Sequence, residues 1–125
     1  MEKITRHEEL KVYILAYNSA MEIFELSKTF PKTETYSLTD QIRRSSRSVC
    51  ANIAEAFYRR KYPKSFIARL TDAEAECAET RVWLNFAQDC NYIDHQDIIL
   101  LLEKYSSVIS MLISMIKHYN KWTFE

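Results

Sequence analysis

Six cations fall between residues 43 and 61: Arg43, Arg44, Arg47, Arg59, Arg60 and Lys61. Arginine presents a planar fork of donors that matches a phosphate group, and lysine adds a point charge. The chemistry such residues serve is binding to nucleic-acid phosphates, which gives affinity without sequence specificity. They belong to a wider segregation of charge. Residues 39–69 carry eight basic side chains against two acidic ones, a net of +6, and residues 70–103 carry eight acidic against one basic, a net of −7. The competing reading is a solvated face, or pairing of the arginines with the acids of the third helix within or between subunits. The chain as a whole has a formal net charge of zero, whereas a dedicated polyanion binder is usually clearly basic.

A second candidate is the polar line Gln41, Ser45, Ser48, Asn52 and Glu55. Asn52 stands at a core position, where an amide without partners is costly. Such a line reads as a hydrogen-bonded network that sets helix register, with a ligand site as the alternative. Glu55 also has Arg59 at i,i+4 for an ion pair.

Catalytic and metal chemistry finds little to work with. His7, His95 and His118 are scattered, and none follows a glutamate by three residues, as a di-iron bundle requires. There is no Cys-x-x-Cys pair. Asp72, Glu74, Glu76 and Glu79 do not all converge when wound on a helix, and no nucleophile has a histidine base beside it. With no glycine in the chain, phosphate loops and dinucleotide fingerprints are excluded, because those turns need backbone without a Cβ. No catalytic residue, metal ion, cofactor or small-molecule substrate is expected.

The elements that must position these residues are helices. At 125 residues, 47% of them hydrophobic, the chain suits one domain over 1–125 with one core. The first helix is expected over 7–29 with a stripe of Leu10, Ile14, Tyr17, Met21 and Phe24, closed by Phe30-Pro31. The second is expected over 37–61, capped by Thr35 or Ser37, with Ile42, Ser45, Val49, Asn52 and Ala56 inward. The third, over 64–90, carries Phe66, Leu70, Ala73, Cys77, Thr80, Leu84 and Ala87 inward. The fourth, over 95–120, starts at the N-cap candidate Asp94 and carries Ile98, Leu102, Tyr105, Ile109, Leu112, Ile116 and Tyr119. The tail after Lys121 is expected to fray, with Trp122 able to pack. Four long helices with short connections predict an all-α, antiparallel up-down-up-down four-helix bundle.

Two helices look too apolar for one buried stripe. Cys50, Ala51, Ala54 and Phe57 on the second, and Leu101, Val108, Met115 and Trp122 on the fourth, suggest a second buried side, joined by Val82, Trp83 and Phe86 on the third. Homo-oligomerisation follows as an expectation, since a monomer would expose a large apolar patch, and the alternative is a wide single core with a covering tail. The odd set Cys50, Cys77 and Cys90 reads as buried reduced thiols of a cytoplasmic protein. The charged first ten residues do not suit a signal peptide, and Glu103 and Lys104 interrupt the longest apolar run, so no membrane span is expected.

Three stretches carry a resemblance to a known family: Leu10-Lys11-Val12-Tyr13 leading to Phe30-Pro31; Gln41-Ile42-Arg43-Arg44 with Ser48, Asn52-Ile53-Ala54-Glu55 and Arg59-Arg60; and residues 66–75. The chain resembles the four-helix-bundle proteins encoded in intervening sequences of bacterial 23S ribosomal RNA genes, sometimes labelled ribosomal-protein-like. The resemblance implies a cytoplasmic bundle, commonly a homopentameric ring, without a settled function. More distantly it implies kinship with accessory proteins of diversity-generating retroelements, which form a basic pentameric barrel binding nucleic acid and a reverse transcriptase. Where that family has two glycines after the Asn-Ile-Ala-Glu segment, this chain has Ala56 and Tyr58, so the second helix is expected to run straighter and longer. The functional expectation is an oligomeric bundle that binds RNA or another nucleic acid through the helix-two arginines, and the alternative is a protein-binding scaffold.

Overall fold

Proline and local hydrogen bonding decide where each helix starts and stops. The computed structural model describes residues 3–124, and among them the helices are α1 (Lys11–Ser27), α2 (Leu38–Phe57), α3 (Pro63–Asp89), α4 (His95–Lys117) and the short α5 (Tyr119–Trp122), with 3-10 turns at His7–Glu9 and Lys32–Glu34. Pro63 opens α3 at a position where its missing N–H is not needed, and it holds Tyr62 in extended backbone. α2 itself ends earlier, at Phe57, and not near residue 61. Tyr58 leaves helical geometry, and Arg60 Nε donates to the free Phe57 carbonyl at 2.8 Å.

The caps also differ from the expectation. Ser37 occupies the N-cap of α2, but its hydroxyl donates to the Glu34 carboxylate, and Glu34 takes the Leu38 N–H at 3.3 Å. Tyr92 donates its hydroxyl to the other Glu34 oxygen at 2.9 Å, and its ring packs on Phe30. These donors hold the Glu34 carboxyl below its usual range, the Ser37 hydroxyl bond foremost. One carboxylate thereby ties the α1–α2 connection to the α3–α4 connection. Asp94 sits at the N-cap of α4 without a side-chain cap bond.

α2 packs against α1 and α3, and α4 packs against the same two helices. Contacts at opposite ends give the directions. Ser27 meets Arg43 while His7 meets Tyr58, so α1 and α2 are antiparallel. Thr80 meets Ser45 while Arg69 meets Glu55, so α2 and α3 are antiparallel as well. The Glu22–Lys104 pair at 2.9 Å joins the later part of α1 to the early part of α4.

The inward stripe of α3 is buried at all seven expected positions. In α1 the expected stripe is rotated. Val12, Ala16, Ser19, Ala20, Ile23 and Ser27 face the core, whereas Ile14, Tyr17 and Met21 are exposed. Small side chains let α1 approach its neighbours closely. Its two buried serines satisfy themselves on carbonyls one turn back, Ser19 on Leu15 at 2.8 Å and Ser27 on Phe24 at 3.0 Å. In α4 the core row is Ile98, Leu101, Tyr105, Val108, Leu112 and Met115; Leu102, Ile109 and Ile116 are half-buried and Tyr119 is exposed beyond the break at His118.

The second apolar side expected of α2 and α4 is therefore largely internal. Cys50 and Phe57 join the core because α2 is wedged between two helices, and Leu101, Val108 and Met115 do so because α4 is. α4 is long and apolar enough to cross a membrane by length and composition alone, but in this fold that core row packs within the bundle. The tail also reaches back to the bundle, where the Phe124 N–H donates to the Arg60 carbonyl at 3.2 Å. Glu125 lies outside the described residues.

Two positions carry measurable local cost. Asn91 follows α3 with φ 61°, and Tyr92 and Asn91 donate back to Ala87 and Gln88 in the left-handed turn that commonly closes a helix. Asparagine tolerates this conformation better than residues without a short polar side chain. Asn91→Ala should lower stability by about 1 kcal/mol and Asn91→Gly should not, read as urea midpoints at constant m. The buried Tyr105 hydroxyl has no hydrogen-bond partner among the described residues. Tyr105→Phe should therefore raise stability by about 1 kcal/mol, seen as an increase of a few degrees in Tm, whereas an equal loss would mean the hydroxyl is bonded.

Candidate nucleic-acid interface

The six cations separate into two groups, Arg43, Arg44 and Arg47 in the first half of α2 and Arg59, Arg60 and Lys61 just beyond its C-terminal end. Within each group the side chains have different duties. Arg43 is half-buried, donates from Nε to Ser27 Oγ at 2.8 Å, and lays its guanidinium 4.8 Å from the Phe24 ring centre. It thus sits at the C-terminal end of α1, where a cation is favoured by the exposed carbonyls. Arg60 lies between the rings of Phe57 at 3.8 Å and Phe124 at 5.1 Å, and burial lowers its pKa. Both are structural clamps in this fold.

Arg44, Arg47, Arg59 and Lys61 are exposed. Arg59 reaches Ser65 Oγ at 3.5 Å, and Arg47 hangs over Phe24 at 5.7 Å. Among the described residues, no carboxylate lies within 4 Å of any of the six cations. Arg44 and Arg47 are one turn apart on the outward crest of α2, beside a groove of about 530 Å³ whose far wall is Glu76 and Glu79 of α3. The acids face the arginines across the groove without pairing with them.

The polar line divides too. Asn52 Nδ2 donates to the Ser48 carbonyl at 3.0 Å and to Ser48 Oγ at 3.2 Å. Glu55 turns to Arg69 of α3 at 3.4 Å, and Arg69 also holds Asp72 at 3.4 Å. Such exposed pairs contribute little stability. The hydroxyls of Ser45 and Thr80 lie 2.8 Å apart in the core, and Thr80 also bonds the Glu76 carbonyl. Gln41 stands apart at the head of the groove. The Ser45–Thr80 bond went unread in the sequence, although both residues stand on the inward stripes.

No three His, Cys, Asp or Glu side chains converge to hold a metal ion among the described residues. Burial pushes the Cys50 thiol up to about 11 and the Cys77 thiol up to about 12. Cys90 is exposed near the end of α3, contrary to the expectation of three buried thiols.

Residues 8–114 match the model of the family described as 23S rRNA-intervening sequence protein. The chain belongs to that family. A solved structure from Bacteroides thetaiotaomicron, described as a protein of unknown function from the S23 ribosomal protein family, is similar to it at 29% identity with a TM-score of 0.76. The likeness covers 85% of this chain and 95% of that one. Comparison with curated proteins returns no match. Neither family description names an enzymatic activity. In this chain α2 ends at Phe57, with Tyr58 at its C-cap and Ala56 buried.

The thiols allow a direct check of the packing. In the native protein at pH 8 a disulfide reagent should consume one thiol equivalent quickly, removed by Cys90→Ser, with the other two reacting only after denaturation. Three fast equivalents would contradict the burial of Cys50 and Cys77.

Proposed function

We propose that this chain is a non-enzymatic, self-associating four-helix protein of the cytoplasm that binds RNA or another nucleic acid through phosphate contacts from α2. The observation that supports this reading is the pair Arg44 and Arg47, exposed one turn apart, with no carboxylate within 4 Å among the described residues. An unpaired guanidinium keeps its donor fork available for a phosphate. The clamped Arg43 and Arg60 are removed from the binding set, and Arg59 with Lys61 forms a second, weaker cationic spot at the far end of the helix. A closed ring, such as a pentamer, would repeat the arginine pair once per subunit and raise avidity on one strand without new contacts.

A specific observation favours the second reading, a protein-binding scaffold. Ile14, Tyr17 and Met21 form an exposed apolar row on α1, and a row of that kind suits a protein contact, whether with another copy or with a different chain.

One experiment separates the two. Arg44→Gln with Arg47→Gln should weaken RNA binding several-fold and reduce the slope of log K against log salt by about 1.5 to 2, because each phosphate contact releases close to one counterion. The assembly, sized by light scattering against the 14.9 kDa chain, should be unchanged. A broken assembly with unaltered salt dependence would make the scaffold reading the better one.

A further inference from the structure

The groove beside Arg44 and Arg47 does not end at Gln41. Gln41 also lines a second groove of about 420 Å³, bordered by Glu34, Tyr36, Trp83 and Phe86, so the two adjoin at Gln41 and are taken together as one trough between α2 and α3. The trough follows α2 from Ala51 to Leu38, about 20 Å at the helical rise. Its two halves differ in chemistry. One half has cations on the α2 side and carboxylates on the α3 side. The other is walled by aromatic rings.

We infer that this trough holds single-stranded nucleic acid, with phosphates on Arg44 and Arg47 and a base stacked on the aromatic end. The inference rests on the phosphate-binding reading above and extends it to the form of the nucleic acid.

Three observations carry it. First, the rings are open. Tyr36 is 95% exposed and Phe86 is 55% exposed, which leaves ring surface available to a flat partner. Base stacking on such faces is the sequence-tolerant contact that single strands offer and duplexes conceal. Second, the platform is held in place. Trp83 Nε1 donates to Glu79 at 3.2 Å, and the Trp83 and Phe86 rings pack 5.9 Å apart at 37°. A ring fixed before binding loses less entropy on contact.

Third, the trough has an electrical direction across its width. Phosphates are drawn to the α2 crest and repelled from Glu76 and Glu79 on the α3 wall. A single strand meets both demands by laying its backbone along α2 and turning its bases toward α3, where the carboxylates accept from exocyclic amino groups or from the ring imino N–H of uracil. A duplex bridging the trough would set its second phosphate strand against those acids.

The test uses the full chain carrying Trp122→Phe, which leaves Trp83 as its one indole. The probes are a 12-nucleotide oligouridylate, a 12-nucleotide oligoadenylate and their duplex. Either single strand should quench Trp83 emission and bind at least tenfold more tightly than the duplex. Tyr36→Ala with Phe86→Ala should weaken single-strand binding about tenfold or more and leave duplex binding unchanged. Phe86→Leu, which keeps apolar bulk but has no ring, guards against a folding artefact and should weaken single-strand binding in the same direction. Equal affinity for strand and duplex, with both still sensitive to the arginine changes, would overturn this inference and leave the phosphate reading standing. Absence of binding to all three probes would remove both. A change in assembly size on replacing the two rings would assign the trough to a subunit contact and overturn the inference.

Discussion

Much of this structure depends on how closely α2 and α3 can approach. The chain has no glycine, so close contact has to come from small side chains. At the centre of the seam Ser45 meets Thr80, hydroxyl to hydroxyl at 2.8 Å, both essentially inaccessible, with Cys77 and Ala73 following on α3. Two polar atoms in a dry core are tolerable only when bonded, and this pair bonds in one register alone. Sliding α2 by one turn would break this contact and leave each hydroxyl with only the carbonyl on its own helix, Thr80 with Glu76 at 2.9 Å and Ser45 with Ile42 at 3.4 Å. The bond thus favours this register of α2 against α3, together with the apolar seam of Ile42, Val49, Ala73 and Cys77.

The consequences reach the surface on both sides of the seam. With the register set, Arg44 and Arg47 stand opposite Glu76 and Glu79, and Gln41 stands between them and the aromatic end. On the other flank α2 is held to α1 by Arg43, which reaches Ser27 and the Phe24 ring together. α2 is therefore anchored on two sides, which is why Cys50 and Phe57 are buried along with Ile42 and Val49. α4, between α1 and α3, buries Leu101, Val108 and Met115 in the same way and leaves Ile99, Leu100 and Ile113 exposed. What stays uncovered are the bulky rows that the close packing excludes, such as Ile14, Tyr17 and Met21 on α1.

The helix-two cations illustrate how one residue type can serve unlike ends. Arg60 is surrounded by aromatic rings and a carbonyl, and its lowered pKa reflects that loss of water. Arg44 is free in solvent. Stacked and hydrogen-bonded guanidinium groups stabilise a fold, whereas solvated ones remain available to a ligand. A run of arginines in a helix cannot be read as a binding face until each fork is traced to its partner.

The sequence by itself determined the all-α class, the breaks at Pro31 and Pro63, and the inward face of α3, where every expected position is buried. Those features depend on local chemistry: a proline's restraint on its neighbour, and a single apolar row with polar residues on every other side. It also singled out the segregated charges and the aromatic group at Trp83 and Phe86. It did not determine the inward face of α1 or α4. Each of those helices carries two apolar rows at compatible spacing, and periodicity is satisfied by either. The tertiary structure decided between them by volume, admitting the small row of α1 and turning the bulky one out. It also decided the partners of Glu55, Arg43 and Glu34, because each lies far away in sequence or has several candidates within reach. Long-range pairing depends on helix register, and the register is set by a hydroxyl contact between residues 35 positions apart.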